Sequence, residues 1–214
     1  MPDSGNDFEF WAYPLQMGDT LSNHEWIPLY VNRLLTSQFV ADAIAAGRRE
    51  DIGTALILWC ESFKLDPAGA LPDNDVQLAR LAGFGSDIEA WLRARPGALY
   101  GWRVTHVEGD DRPGRRWLGH EMIARIAVDM HRRKSGRDQA REAGRMAMLR
   151  SRVRAKLRSL GRANLADNDH VVATVADWLD KSKLYCTAEN VAAGMEEVAG
   201  VPRVVRRIGG KDDV

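Results

Sequence analysis

Apolar residues recur every three or four positions along most of this 214-residue chain, and that spacing predicts a mainly helical protein. The clearest segment is 50–63, where Ile52, Ala55 and Trp59 mark one buried face. Helices are predicted over residues 34–46, 50–63, 76–82, 86–95, 121–160, 170–180 and 187–198. In the long helix, an interruption is expected at residues 135–136 and a weak point at Gly144.

The pattern between residues 72 and 118 is the most informative part of the chain. Residues 72–75 offer N-caps for one short helix, and Ser86-Asp87-Ile88-Glu89 is a capping box that starts the next. The glycine-containing turn between them makes a helix-turn-helix pattern. The period then changes to two over residues 99–107, and a turn at 108–114 precedes a return strand at 115–118. A helix-turn-helix followed by a β-hairpin is the order of a winged helix.

The expected fold is therefore mainly α with a small β-hairpin: a winged helix-turn-helix, then a long basic helix and a small helical C-terminal region. The expected segments are a flexible lead-in (1–25), a winged-helix domain (26–134), a basic helical linker (135–163), a small helical C-terminal region (164–208) and a disordered tail (209–214).

Charge is distributed unevenly along the chain. The formal net charge is zero, yet residues 132–162 contain 12 Lys or Arg against two acids, Asp138 and Glu142. The first hundred residues and the far C-terminus are net acidic and balance this segment. One strongly basic stretch in a neutral chain indicates a local anionic partner.

No arrangement of residues indicates catalysis, so we expect a protein that is not an enzyme and has no metal or cofactor. None of the five histidines stands at metal-ligand spacing from another His or a Cys, and neither a phosphate loop nor a dinucleotide fingerprint occurs. Cys60 lies in an apolar run and is expected to be a buried free thiol, which fits a reducing cytoplasm. No apolar run is long enough to span a bilayer.

Three groups of arginines are candidates for phosphate contacts: the tip of the hairpin, the second helix of the helix-turn-helix, and the basic helix. The candidate nucleic-acid-binding residues are Arg93, Arg95, Arg103, Arg112, Arg115, Arg116, Arg132, Arg133, Lys134, Arg137, Arg141, Arg145, Arg150 and Arg152. Four of them, from Arg133 to Arg145, recur at four-residue spacing and would form one charged line on a helix.

Each group also has a structural interpretation. The hairpin arginines are equally typical of a solvated edge. Asp87 and Glu89 at the start of the second helix would repel phosphates. The basic helix could be a solvated face, although its charges repel one another without a partner. A membrane-surface helix is a lesser alternative, because the apolar stripe lacks Trp and Phe.

The stretch from Trp26 to about Arg150 resembles the YdaU-like domain of phage and prophage proteins, a family named as a domain of unknown function. Residues 26–31 (Trp-Ile-Pro-Leu-Tyr-Val) look like its opening signature, and the run from Gly69 to Gly83 looks like its most distinctive part. Residues 132–150 are similar to the basic helix that follows it. The run 32–50 and the turn 110–114 depart from the family pattern, and residues after 165 lie outside the match.

This resemblance implies a role in starting phage replication, as an origin binder or a helicase loader. The expected partners are DNA, duplex or single-stranded, and a replicative helicase or another replication protein, with no membrane. One alternative is a winged-helix transcriptional regulator, which would form a symmetric homodimer on a preferred sequence. Another is a protein-interaction adaptor that does not bind DNA.

Overall fold

A computed structural model describes residues 11–21 and 25–200 of the chain. The chain divides into two compact units, with the boundary between Ser135 and Gly136. Unit 1 lies before this boundary and unit 2 after it. The described residues are mainly helical and include a small three-stranded antiparallel sheet, which confirms the predicted fold class at this level.

In the described part of unit 1, five helices and three strands precede the long helix. The helices are α1 (Val31–Leu35), α2 (Gln38–Ala45), α3 (Arg49–Ser62), α4 (Asp75–Leu81) and α5 (Ile88–Ala98). The strands are β1 (Ala70–Pro72), β2 (Trp102–Thr105) and β3 (Trp117–His120). Along the chain their order is α1-α2-α3-β1-α4-α5-β2-β3.

The sheet has the order β1-β3-β2, with β3 antiparallel to both neighbours. Leu118 of β3 is aligned with Leu71 of β1 and with Val104 of β2. The β2–β3 hairpin was predicted, whereas β1 was not. A three-residue strand is too short to show the alternation of apolar and polar residues by which strands are predicted. Its partner β3 lies far along the chain and comes beside it only on folding.

Helix α3 packs on two sides. Ala55 and Trp59 belong to a core with the lead-in, α2 and the start of the long helix, and Leu58 belongs to a second core with α4 and α5. Because Leu58 and Trp59 point inward, the next residue, Cys60, is turned outward and exposed, so the prediction of a buried thiol was wrong.

Residues 34–46, predicted as one helix, form parts of two. Helix α1 ends at Leu35, and α2 begins after Ser37, whose side chain accepts a hydrogen bond from the Val40 backbone N–H. This cap satisfies a backbone donor that a continuous helix would pair with its own carbonyls. Residues 11–21, assigned to a flexible lead-in, are instead packed: Tyr13, Leu15 and Leu21 are buried in the first core.

Helices α4 and α5 form the predicted pair around the Gly83–Gly85 turn. Asn74 caps α4, as expected, by accepting from the Gln77 N–H. Helix α5 is capped by Asp87 and not by the predicted Ser86 box. It also continues through Pro96 to Ala98, beyond the predicted end. Trp91 is fully buried, whereas Leu92 is 50% exposed.

Helix α6 (Glu121–Ser159) is continuous over 39 residues, so the predicted interruption at 135–136 was wrong. A Cβ added at Gly136 or Gly144 would meet no atom within 4 Å, so these glycines serve no close packing. Each costs only about 1 kcal/mol relative to alanine, and the flanking Arg, Ala, Glu and Met residues favour helix.

Unit 2 consists of the end of α6 with α7 (Ala163–Ala166), α8 (Asp169–Lys181) and α9 (Ala188–Ala199). Val153 and Leu157 of α6 are fully buried against α8 and α9 in its core. Part of the stretch treated as a linker in sequence is thus a core element here. The Thr187 side chain caps α9 by accepting a hydrogen bond from the Asn190 backbone N–H.

Candidate nucleic-acid interface

At the tip of the β2–β3 hairpin, the arginines gather around one carboxylate. Arg112 Nε lies 2.5 Å and Arg115 Nε 3.8 Å from Asp110, and the Trp117 indole N–H donates to it at 2.7 Å. The Asp110 side chain is only 5% exposed. Hydrogen bonds from Arg112, and secondarily from Trp117, lower the pKa of Asp110 to about 2. The tip is therefore an internal ion-pair cluster, and part of its positive charge is neutralised.

Replacing Asp110 by Asn should remove a pH-dependent part of the stability of unit 1. Because the folded pKa is about 2 and the ordinary value 3.8, ionised Asp110 stabilises the fold above pH 3.8 and loses this effect as pH falls toward 2. We expect the urea midpoints of wild type and Asp110→Asn to differ most above pH 4 and to converge near pH 2. A gap that stays constant over this range would contradict the role of Asp110.

Three other candidate arginines of unit 1 also contact neighbouring side chains. Arg116 Nη2 lies 2.9 Å from Asp73, and Arg95 Nε lies 2.8 Å from Asp75, beside the start of α4. Arg103 stacks over the ring of Trp11, with 4.6 Å from its guanidinium carbon to the ring centroid. These contacts hold the helices and hairpin of unit 1 together.

The outward face of α5 is a poor match for phosphate. Arg93 is exposed and forms no ion pair with any residue the structure describes, but Glu89 and Leu92 are exposed beside it. Through Ser135 the sequence has 15 Lys or Arg against 19 Asp or Glu. The charge of unit 1 therefore does not attract nucleic acid as a whole.

The part of α6 in unit 1 ends in three basic residues. Arg132 and Arg133 are exposed, and neither forms an ion pair within residues 11–21 and 25–200. Lys134 is half-buried, and its Nζ donates a hydrogen bond to the Thr20 carbonyl at 2.7 Å. This bond ties the segment 11–21 to α6.

The next part of α6 is solvated on all sides. Every residue from 136 to 145 is exposed, including Arg137, Arg141 and Arg145. Arg141 has no ion pair with a described residue. Arg145 contacts Glu142 at 2.6 Å and Asp180 at 2.7 Å, and these two carboxylates raise its pKa.

Further along α6, most arginines form ion pairs within unit 2, in an arrangement we call the Arg–Asp ladder. Its pairs are Arg145–Asp180, Arg150–Asp177, Arg154–Asp169 and Arg158–Asp167. Arg154 also donates to the Ala166 carbonyl at 3.1 Å. All eight side chains are substantially exposed, so each pair contributes little stability by itself.

The aspartates of this ladder were not predicted from the sequence. Asp169, Asp177 and Asp180 lie on one face of α8. A helical-wheel projection of residues 169–181 would have shown this from the sequence. The remaining candidate, Arg152, places its Nη2 3.7 Å from the Met148 sulfur.

Within the described ranges, no helix is long and apolar enough to cross a membrane. In the same residues, no group of three or more His, Cys, Asp or Glu side chains is placed to hold a metal ion. Comparison with protein-family models, curated proteins and solved structures finds no match for this chain.

Proposed function

We propose that this chain is a nucleic-acid-binding protein that holds phosphates with α6 and that acts in replication of the phage type. The proposal rests on a difference between two sets of arginines along α6. Arg132, Arg133 and Arg141 are exposed without an ion pair among the described residues, whereas the ladder arginines have carboxylate partners. Unpaired guanidinium groups on a helix are suited to bidentate phosphate contacts.

A winged helix-turn-helix is the fold we propose for unit 1. The chain order α3-β1-α4-α5-β2-β3, with β3 central in the sheet, supports this assignment. In such a fold α5 would be the recognition helix and the β2–β3 hairpin the wing. Because Asp110 and Asp73 occupy most of the hairpin arginines, we assign the wing a secondary role in binding.

A second candidate function for unit 1 is docking to another protein. The exposed Glu89 and Leu92 on α5, together with the excess of acids, favour a protein partner over a DNA groove at this helix. The two functions are compatible, since a replication initiator or helicase loader must hold both DNA and a protein. The replication role itself comes from the resemblance to the YdaU-like domain, and the partner it implies is a helicase or another replication protein.

Neutralising the three unpaired arginines should weaken DNA binding. We expect Arg132→Gln, Arg133→Gln and Arg141→Gln together to lower the affinity for a labelled duplex by at least about tenfold at low salt. The slope of log affinity against log salt should become shallower by about 0.9 for each phosphate that the variant no longer binds. Fluorescence anisotropy over a salt series measures both, with duplex and single-stranded DNA in parallel.

A matched control removes the same charge from paired arginines on the same helix. Arg125, Arg154 and Arg158 form ion pairs with Glu121, Asp169 and Asp167, and their triple Gln variant should retain most of the affinity. An equal loss in both triple variants would mean that net charge, not the unpaired set, governs binding. No binding of wild type to either DNA at low salt would overturn the nucleic-acid proposal and favour the docking function.

A further inference from the structure

Unit 1 contains a cavity of about 480 Å³ between α4, the end of β1 and the tip of the β2–β3 hairpin. Three arginines line it: Arg80 on α4, and Arg112 and Arg115 at the hairpin tip. The two hairpin residues are candidates from the sequence, whereas Arg80 comes to the same cavity only because the chain folds. None of the three belongs to α6, so a ligand here is independent of the DNA contacts proposed above.

The three guanidinium groups are occupied to different degrees. Arg112 and Arg115 share one carboxylate, Asp110, with distances of 2.5 Å and 3.8 Å from their Nε atoms. Arg80 is exposed and forms no ion pair within residues 11–21 and 25–200. Arg80 therefore leaves a whole guanidinium group to bind an anion, while Asp110 fixes the hairpin arginines at the cavity.

A second carboxylate, Asp66, lines the cavity and limits which anions fit. Its Oδ1 accepts a hydrogen bond from the Gly18 backbone N–H at 2.6 Å, and no described residue donates to its Oδ2. Three guanidinium groups against two carboxylates leave the cavity with a positive surplus, which suits a ligand with one anionic group. Because the free Asp66 oxygen repels a further anion and accepts a donor, it favours hydroxyl groups on the same ligand.

Most of the remaining wall is apolar. Leu65 and Leu81 are half-buried there, and Pro72 is buried. Gln77 adds an exposed amide that forms no side-chain hydrogen bond with a described residue. An inorganic anion would leave this apolar surface in contact with water, whereas an uncharged ring attached to the anion would cover it. The volume lies within the range of about 300–1,000 Å³ that is typical of small-molecule sites.

We propose that this cavity binds a ribonucleoside 5′-monophosphate, in which one phosphate is joined to a flat base through a sugar with free hydroxyl groups. Arg80 and the terminal nitrogens of Arg115 hold the phosphate, whose three terminal oxygens accept from α4 and the hairpin together. Asp66 accepts from the sugar hydroxyls, and the base covers Leu65 and Leu81. A 5′-phosphorylated DNA end fits less well, because its first sugar has no free hydroxyl group.

Isothermal titration calorimetry on the full chain tests the site with adenosine 5′-monophosphate (AMP), adenosine and inorganic phosphate. We expect AMP to bind with one-to-one stoichiometry and each fragment to bind at least about tenfold more weakly, because each lacks part of the contacts. 2′,3′-Dideoxy-AMP, which has no hydroxyl group for Asp66, should bind about fivefold more weakly than AMP. Absence of AMP binding would overturn the site, and phosphate binding as tight as that of AMP would overturn the nucleotide.

Two variants and a matched control locate the ligand. Arg80→Gln should weaken AMP by about tenfold, the effect of one hydrogen bond to a charged group, and leave adenosine nearly unchanged. Arg49→Gln removes the same charge from an exposed arginine outside the cavity that has no ion pair in the described chain, and it should change neither affinity.

Filling the cavity provides an independent measurement. Gln77→Trp, at an exposed position of α4, places a large ring in the space and should abolish AMP binding. Circular dichroism verifies that this variant keeps its fold. Equal losses in Arg80→Gln and Arg49→Gln, or AMP binding that survives in the folded Gln77→Trp chain, would overturn the site.

Discussion

Replacing Gly69 by Ala should destabilise unit 1 by about 3–4 kcal/mol. Gly69 has φ +81°, a region in which an L-residue is strained by about 1–2 kcal/mol. A Cβ at this position would also lie 2.6 Å from the Tyr13 hydroxyl and 2.9 Å from Ala127 Cβ. Tyr13 cannot move away freely, because it is buried and donates to the Ala68 carbonyl at 2.9 Å. Overpacking of this kind costs about 1–3 kcal/mol.

Gly83 is the matched control for this substitution. It has nearly the same backbone angle, φ +87°, but a Cβ there would meet nothing within 4 Å. Gly83→Ala should therefore cost only the backbone strain, about 1–2 kcal/mol, and the difference between the two variants measures the packing around Gly69.

Urea unfolding followed by tryptophan fluorescence measures these costs, since six of the seven tryptophans lie before residue 135. Equal destabilisation by Gly69→Ala and Gly83→Ala would contradict the close contact of Tyr13, Gly69 and Ala127. A smaller cost at Gly69 than at Gly83 would contradict it more strongly.

Local signals in the sequence were sufficient for most elements of the fold. Residues 72–75 were predicted to offer the cap of one helix, and the structure places Asn74 from this run at the start of α4. The change of period after residue 98 predicted the hairpin. In each case the information lies within a few residues, where capping and side-chain alternation act directly on the backbone.

Features that depend on distant partners were not found from the sequence. Residues 11–21 were assigned to a flexible lead-in, yet Tyr13 and Leu15 alternate toward a core supplied by α3 and α6. Strand β1 forms because β3, more than 40 residues later, pairs with it. The candidate interface changed for the same reason, because the carboxylates that pair with Arg150 and Arg154 come from α8.

The ladder leads to the second prediction, which concerns binding strength. If α6 holds phosphates, the aspartates of the ladder compete with DNA for the same guanidinium groups. Changing Asp167, Asp169, Asp177 and Asp180 together to Asn should therefore raise DNA affinity by about tenfold or more at low salt. The salt dependence should steepen by about 0.9 for each arginine that binds a further phosphate.

A control with the same change in net charge separates this effect from general attraction. Glu50, Glu89, Glu189 and Glu197 are exposed and pair with no arginine in the described chain, and their quadruple Gln variant alters charge without releasing a guanidinium. We expect a much smaller gain in affinity from it, with a nearly unchanged salt slope, in the same anisotropy experiment. Equal gains in both variants would mean that the ladder does not mask a binding surface. If neither variant gains affinity, bound DNA lies away from α7, α8 and the ladder face of α6. Arg132, Arg133 and Arg141 would then account for binding alone.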